Sequence, residues 1–271
     1  MCRSWFSKEE PVFNPASFRM MSFGKNTYPG GNSLPGCVND TNFLSADIAH
    51  QFGGDIRKYT EWKATAKRYV QNTNTAIGVL SPGATVAIIA DSCFSGGILR
   101  ANPHIPMHNG HPVYNRFLPN PDIKPGLVVE NHFAIRSDLH WLVISACQEH
   151  QTAMDAYFSD IKTNMGALSY SLRKSLAKGM TWQEWVNAAM ILLAYHGFSQ
   201  IPMFYGPLEK KHEIIGSSET LIIHNSSHGS QRRDLDGDEV DKLDETIELD
   251  TFVLDDTLNA MLQNIPKKLA S

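Results

Sequence analysis

The sequence has little cysteine and none of it in pairs. Four of the 271 residues are cysteine (Cys2, Cys37, Cys93, Cys147), widely spaced and without a C-x-x-C. That excludes a disulfide-stapled scaffold and a zinc ribbon, and makes a reducing, cytoplasmic compartment the expectation. Long hydrophobic runs are missing as well. Stretches such as 190–195 fall far short of the ~18–20 residues that a membrane-crossing helix needs. Residues 1–10 lack the continuous apolar stretch of a secretory signal. Neither charge sign dominates: 24 Lys and Arg face 28 Asp and Glu, a net charge of −4. Nucleic acid and anionic membranes are therefore poor partners. With 42% hydrophobic and 19% charged residues, the composition also excludes disorder, collagen and coiled coil.

What is present alternates between two periodicities. Residues 18–23 read as a short strand. Residues 40–52 read as a helix, with Phe43, Leu44, Ile48 and Phe52 on one face and a stop at Gly53-Gly54. A second strand (55–60) and a second helix (64–80) follow, the helix ended by Ser81-Pro82-Gly83. Residues 85–90 (T-V-A-I-I-A) form a continuous apolar run, the mark of a strand buried on both faces in a parallel sheet. A loop rich in Gly, Pro, Asn and His leads towards a second buried strand at 139–146. Helices are expected at 166–177 and 181–195, the latter opened by Thr181 with Glu184 three residues on, a capping box. Then come a short strand (202–205), a polar linker (208–219), a third buried strand (220–224, T-L-I-I-H), an acidic stretch (230–250) and a last helix (255–264). This order predicts one α/β domain with a mainly parallel sheet.

In open parallel sheets, functional groups gather just past the carboxyl ends of the strands. Two buried strands here end in small, polar loops: one in Asp91-Ser92-Cys93-Phe94-Ser95-Gly96-Gly97, the other in Asn225-Ser226-Ser227-His228-Gly229. As neighbours about 4.8 Å apart, the two strands would set Cys93 beside His228. A thiol needs a nearby base or cation to become a thiolate at neutral pH, and imidazole serves. The glycines free backbone N–H groups to approach a developing oxyanion. The plainer reading of each residue alone is a buried small hydrophobe for Cys93 and a turn for His-Gly. No G-x-S-x-G elbow occurs, which argues against a serine hydrolase.

D-S-C-F-S-G-G (91–97) resembles the nucleophile motif of metacaspases, within the caspase-like cysteine peptidases. H-N-S-S-H-G-S-Q (224–231), with D-L-D-G-D-E (234–239), D-E (244–245) and L-D-D-T-L (254–258), resembles their histidine segment. L-P-G-C-V-N-D (34–40) is similar to their early motif. I-S-A-C-Q-E-H-Q-T-A-M-D-A (144–156), G-A-L-S (166–169) and Q-I-P-M-F-Y-G (200–206) are similar to their small-subunit region. The order departs from the family, whose histidine segment precedes the cysteine; here it follows the small-subunit region. The resemblance therefore implies a caspase-like three-layer sandwich around a mainly parallel six-stranded sheet, with permuted connectivity. One domain would span 1–271: strands, helices and nucleophile loop at 18–97, a small-subunit-like region at 139–206, a linker at 207–219 and the transposed segment at 220–265. The 13 linker residues reach roughly 40 Å. Crossing three or four strand positions needs about 15–20 Å. The transposed strand is expected between the 18–23 and 85–90 strands.

The resemblance also implies roles. Cys93 would be the nucleophile, His228 its base and then acid, and the N–H groups of Cys93 and Gly229 the oxyanion hole. Cys37, Asp40, Asp91 and Ser226 match the first specificity pocket, whose two carboxylates suit a basic side chain, Arg over Lys. Alternatively, Asp40 caps the helix after it and Asp91 holds the loop. The implied activity is cleavage after Arg or Lys through an acyl-enzyme. The alternative is a pseudopeptidase that binds protein partners, although Cys93, His228 and the pocket acids are all present. Many metacaspases need calcium, and Asp255 and Asp256 match a ligand pair; a solvated acidic face reads equally well. Self-cleavage would fall in the loops holding Arg100, Arg116, Lys124 and Arg136, or Lys210 and Lys211. The partners expected are peptide and protein substrates, acting on a monomer. His104, His108 and His111 could suggest a metal, but Pro106 and Gly110 argue against a helix that would align them.

Overall fold

The computed structural model describes residues 18–28, 32–92, 107–108, 110–116, 140–148, 151–234 and 243–267. In chain order they form β1 (Phe18–Gly24), α1 (Cys37–Phe52), β2 (Asp55–Thr60), α2 (Ala66–Ile77), β3 (Thr85–Asp91), β4 (Met107–His108), β5 (His111–Pro112), β6 (Tyr114–Asn115) and β7 (Leu142–Ser145). They continue with β8 (Met154–Phe158), β9 (Thr163–Gly166), α3 (Ala167–Ser175), α4 (Trp182–Tyr195), β10 (Met203–Tyr205), α5 (Leu208–Lys211), β11 (Thr220–Ser226), β12 (His228–Arg233), β13 (Leu243–Glu248), β14 (Phe252–Leu254) and α6 (Asp255–Leu262).

Six strands make the central sheet, in the order β10-β7-β3-β11-β1-β2. All neighbours run parallel except β10, which is antiparallel to β7. β11 occupies the slot expected for it, between β1 and β3. Its register sets Ile222 opposite Met20 and Ala87, and Ile223 opposite Met21 and Ile88. Successive side chains of a strand leave opposite faces, so each face needs its own cover. Met20, Ala87, Ile89 and Ile222 pack under α1, α3 and α4 through Leu44, Ile48, Leu168, Leu172, Trp185 and Val186. Met21, Val86, Ile88, Leu221 and Ile223 pack under α2 and α6 through Tyr69, Ile77, Leu258 and Leu262. A strand covered on both sides must be apolar throughout. That explains the unbroken runs in β3 and β11.

Local signals set the helix starts. Thr181 and Glu184 form the expected capping box at α4, and Thr65 caps α2 by accepting from Arg68 N at 3.2 Å. Trp182 and Trp185 are buried, and Trp185 Nε1 donates to Leu172 O at 2.7 Å.

Three expectations need correction. β3 and β11 run further than the apolar runs suggest, to Asp91 and Ser226, which lie opposite each other. The acidic stretch 230–250 carries β12 and β13, which form an antiparallel sheet with β14. Ile247, Leu249 and Val253 drive that sheet onto the core from among the carboxylates. Past β7, β8 and β9 form a hairpin that pairs with β6.

Candidate active site

Three carboxylates converge at the carboxyl rim of the sheet, each brought by a different element and anchored by a backbone N–H. Asp40, in α1, accepts from Gly166 N at 2.8 Å. Asp91, which ends β3, accepts from Ser169 N at 2.8 Å. Asp155, in β8, accepts from Gly36 N at 2.8 Å. Two of these donors belong to the N-terminal turn of α3, where the helix dipole favours negative charge. β1 ends tightly against α1: a Cβ on Gly24 would strike Cys37 O and Thr41 Oγ1. That contact brings Cys37 and Asp40 to the rim beside Ser226, whose Oγ donates to Asp40 Oδ2 at 2.7 Å.

The group they surround is Arg116. Its side chain is fully buried, with Nη2 2.5 Å from Asp40 Oδ2 and 3.3 Å from Asp155 Oδ2. Nη1 donates to Asp91 O and to Ser226 Oγ, each at 2.7 Å, and lies 3.4 Å from Asp91 Oδ1. Burial opposes the charge of the guanidinium, but Asp91, Cys37, Asp40 and Asp155 together hold its pKa well above the ordinary value. Burial also raises Asp40 to about 7 and Asp155 to about 6, against the pull of Arg116. Cys37 is raised by burial too. The four residues expected to form the pocket thus do converge, and they converge on a basic side chain of the same chain.

Gly166 forms the floor. A Cβ there would lie 2.6 Å from Arg116 Cζ and clash with Asp91. Its φ of −61° suits any residue, so the demand is for space alone. Gly166→Ala is expected to push the guanidinium out and cost about 1–3 kcal/mol, the usual range for overpacking. Thermal denaturation followed by circular dichroism checks this; an unchanged melting curve would mean the arginine is not held there.

The backbone of Arg116 is held too. Its N–H donates to Ala153 O at 3.0 Å, and its carbonyl accepts from Gly229 N at 2.8 Å. The next residue along β12 is His228, whose Nε2 lies 2.6 Å from Asn32 O. A carbonyl only accepts, so Nε2 carries the hydrogen and Nδ1 is the basic nitrogen. Nδ1 makes no hydrogen bond of good geometry among the described residues, although the Arg116 main chain is near enough to the ring to raise its pKa somewhat against burial. Tyr28 steadies the ring edge-on at 4.6 Å, and its hydroxyl accepts from His228 N at 3.0 Å while donating to Glu248 O at 3.0 Å. Burial lowers the pKa of His228, so the ring is neutral at neutral pH. His224 differs. It is fully buried, with Nδ1 2.7 Å from Ser22 Oγ and Nε2 3.2 Å from Ser169 Oγ, and burial drives it down to about 3. It braces β11 and has no free nitrogen.

Cys93 lies outside the described residues, which reach Ser92 immediately before it. Arg100, Lys124, Arg136 and His104 lie outside them as well. Lys210 Nζ is tied to Gly83 O, Thr85 Oγ1 and Glu213, and Lys211 Nζ to Phe204 O. His108 lies against Phe198, and His111 stacks on Tyr157. Asp255 and Asp256 open α6. Among the described residues no three His, Cys, Asp or Glu side chains are grouped to hold a metal ion. Three participants were not foreseen: Asp155, Tyr28 and the carbonyl of Asn32. Asp155 stands within a motif already noted, but only the β8–β9 hairpin turns it towards Asp40.

No family model matches the chain, and no curated protein matches it. Among solved structures, it is similar to protein GSU0716 from Geobacter sulfurreducens at a TM-score of 0.49 and 14% identity, over 74% of this chain and 98% of that one. No function follows from that likeness. Among the described residues, no helix is long and apolar enough to cross a membrane.

Proposed function

We propose that the chain is a cysteine endopeptidase of caspase-like fold that cuts after arginine, its own Arg116 included. The observation that carries this reading is the double hold on Arg116: its guanidinium in a cage of three carboxylates and its carbonyl oxygen on the N–H of Gly229. A buried carbonyl is hydrogen-bonded in almost any fold, so the second hold counts through its donor, Gly229, whose N–H the resemblance assigns to the oxyanion hole. The second is what an oxyanion-hole donor would make to the carbonyl under attack.

In this reading the Cys93 thiol gives its proton to Nδ1 of His228, and the sulfur attacks the carbonyl carbon of the arginine. The oxyanion forms on the Gly229 N–H. As the C–N bond breaks, His228 returns the proton to the leaving amine, which for self-cleavage is that of Phe117. Water, deprotonated by the same ring, then splits the thioester and restores the thiol. The Asn32 carbonyl keeps the ring in the required tautomer. The rival, a binding scaffold whose pocket stays plugged by Arg116, predicts no turnover of any peptide.

The test uses reporter peptides ending in Arg, Lys or Asp, with wild type and Cys93→Ala. Arg is expected to be cut faster than Lys, with Asp left intact and Cys93→Ala inactive. Mass spectrometry should find a cut between Arg116 and Phe117 in the wild type only. Turnover of the Asp peptide but not the Arg peptide, or an active Cys93→Ala, would overturn the reading. The pocket also sets a pH dependence. A guanidinium binds ionised carboxylates, so the KM for the Arg peptide should fall as pH rises: burial lifts Asp155 and Asp40 even with Arg116 in the cage, and the vacated cage titrates higher still.

A further inference from the structure

Tyr28 is buried with Leu34 and Cys37 in a small core of its own beside the rim. The loop that carries it is fastened at both ends. Lys25 N donates to Ser226 O at 3.1 Å, Leu34 N to Asn26 O at 2.8 Å, and Val38 N to Asn26 Oδ1 at 2.8 Å. The phenol therefore reaches β12 from a fixed base.

β12 and β13 pair antiparallel, starting with His228 opposite Glu248. Main-chain groups along such a strand point alternately towards the partner strand and away from it. Gly229 N points away, to Arg116 O. His228, one residue earlier, is then the position where β12 turns its N–H towards Glu248. The Tyr28 hydroxyl stands in that rung, accepting from His228 N at 3.0 Å and donating to Glu248 O at 3.0 Å. A ladder needs no side chain there, since the N–H of one strand and the C=O of the other satisfy each other. Here a buried hydroxyl commits both of its bonds to the end of the ladder, at the residue that carries the candidate base.

We infer that Tyr28 is a positioning residue for the reaction: its hydroxyl spaces the first rung between β12 and β13, and that spacing aims the His228 ring and the Gly229 N–H. The inference rests on the peptidase reading and adds to it a residue that touches no reacting atom. Tyr28→Phe keeps the ring edge-on to His228 and packed with Leu34 and Cys37, and removes one oxygen. The rung is then free to close directly, which preserves the fold and moves base and oxyanion donor together.

The test compares wild type and Tyr28→Phe on an amide reporter ending in Arg, at a temperature where both are folded. Turnover is expressed per active site, titrated to completion with an arginyl chloromethyl ketone, and a crystal structure of each protein is determined. In the variant, kcat per titrated site is expected to fall about 10- to 100-fold, the scale for a misplaced catalytic group. KM should stay within about twofold, because the carboxylate cage is untouched, and His228 N should lie closer to Glu248 O than in wild type. An unchanged kcat per titrated site would overturn the positioning role and leave the peptidase reading standing, even if fewer sites were titrated. So would a raised KM at full kcat, or His228 and Gly229 unmoved in the variant structure. A variant that folds at no temperature would overturn it too, since the hydroxyl would then hold the fold and not the base. No turnover by wild type would bring down both readings.

Discussion

Arg116→Ala is expected to cost the fold about 3–5 kcal/mol at pH 8, the usual loss when one partner of a buried ion cluster is removed. Three buried carboxylates would remain, with no cation among them. The loss should shrink in acid, and the sign follows from the titrations. Asp40 and Asp155 titrate in the folded protein above their ordinary value of 3.8, at about 7 and about 6. The folded state therefore binds more protons than the unfolded chain in that window. The stabilisation from protonation is fully present below pH 3.8 and is lost as pH rises through 6 to 7. Removing the guanidinium, which pulls both values down, moves the window to higher pH. The melting-temperature gap between variant and wild type should thus be wider at pH 8 than at pH 5.5. Free arginine amide should narrow it at pH 8 by occupying the vacated cage. An equal gap at both pH values, untouched by arginine amide, would show that the carboxylates do not act as one charge-binding site.

His228→Ala is expected to reduce kcat for an Arg reporter by about 100- to 10,000-fold, the range for removing a general base. Its melting temperature should fall as well, since the buried ring also bonds Asn32 O and packs on Tyr28, so kcat is compared at a temperature where both proteins are folded. His224→Ala is expected to act through stability. It leaves Ser22 and Ser169 without their shared partner inside the sheet, so it should unfold at lower temperature. If His224→Ala kept the wild-type melting curve and lost activity, while His228→Ala stayed active, the two histidines would have to exchange roles.

Much of this arrangement could be read from residue order, for a physical reason. β3 and β11 are buried on both faces, so T-V-A-I-I-A and T-L-I-I-H stand out as unbroken apolar runs, while their neighbouring slots were expected from the permuted family resemblance. Cys37, Asp40, Asp91 and Ser226 were reachable only through the resemblance of their motifs to the metacaspase pocket; periodicity alone did not mark them. Asp155 was not, since nothing local distinguishes a carboxylate aimed at a site 115 positions away in the chain from one facing water (Asp40 to Asp155). Arg116 was one basic residue among several in a loop. Only the pairing of β6 with β8 shows that its side chain turns inward. The β12–β13 sheet was hidden by its own charge, because Asp244, Glu245 and Glu248 are buried there, Glu245 beside Gln231 and Glu248 beside Arg232 and Thr246.

The central position of β11 has a consequence for the order of events in the cell. β1 and β3 are synthesised long before the strand that joins them, so a nascent chain carries two unpaired edges around a vacant lane until residue 226 has emerged. Ser226 ends that strand, and His228 and Gly229 follow at once at the start of β12. On the peptidase reading proposed above, a ribosome-bound or prematurely terminated chain would hold its cysteine without the imidazole, the pocket hydroxyl or the glycine amide, and would be inert. Connectivity of this kind would set the moment at which reactivity first exists, independently of any later processing.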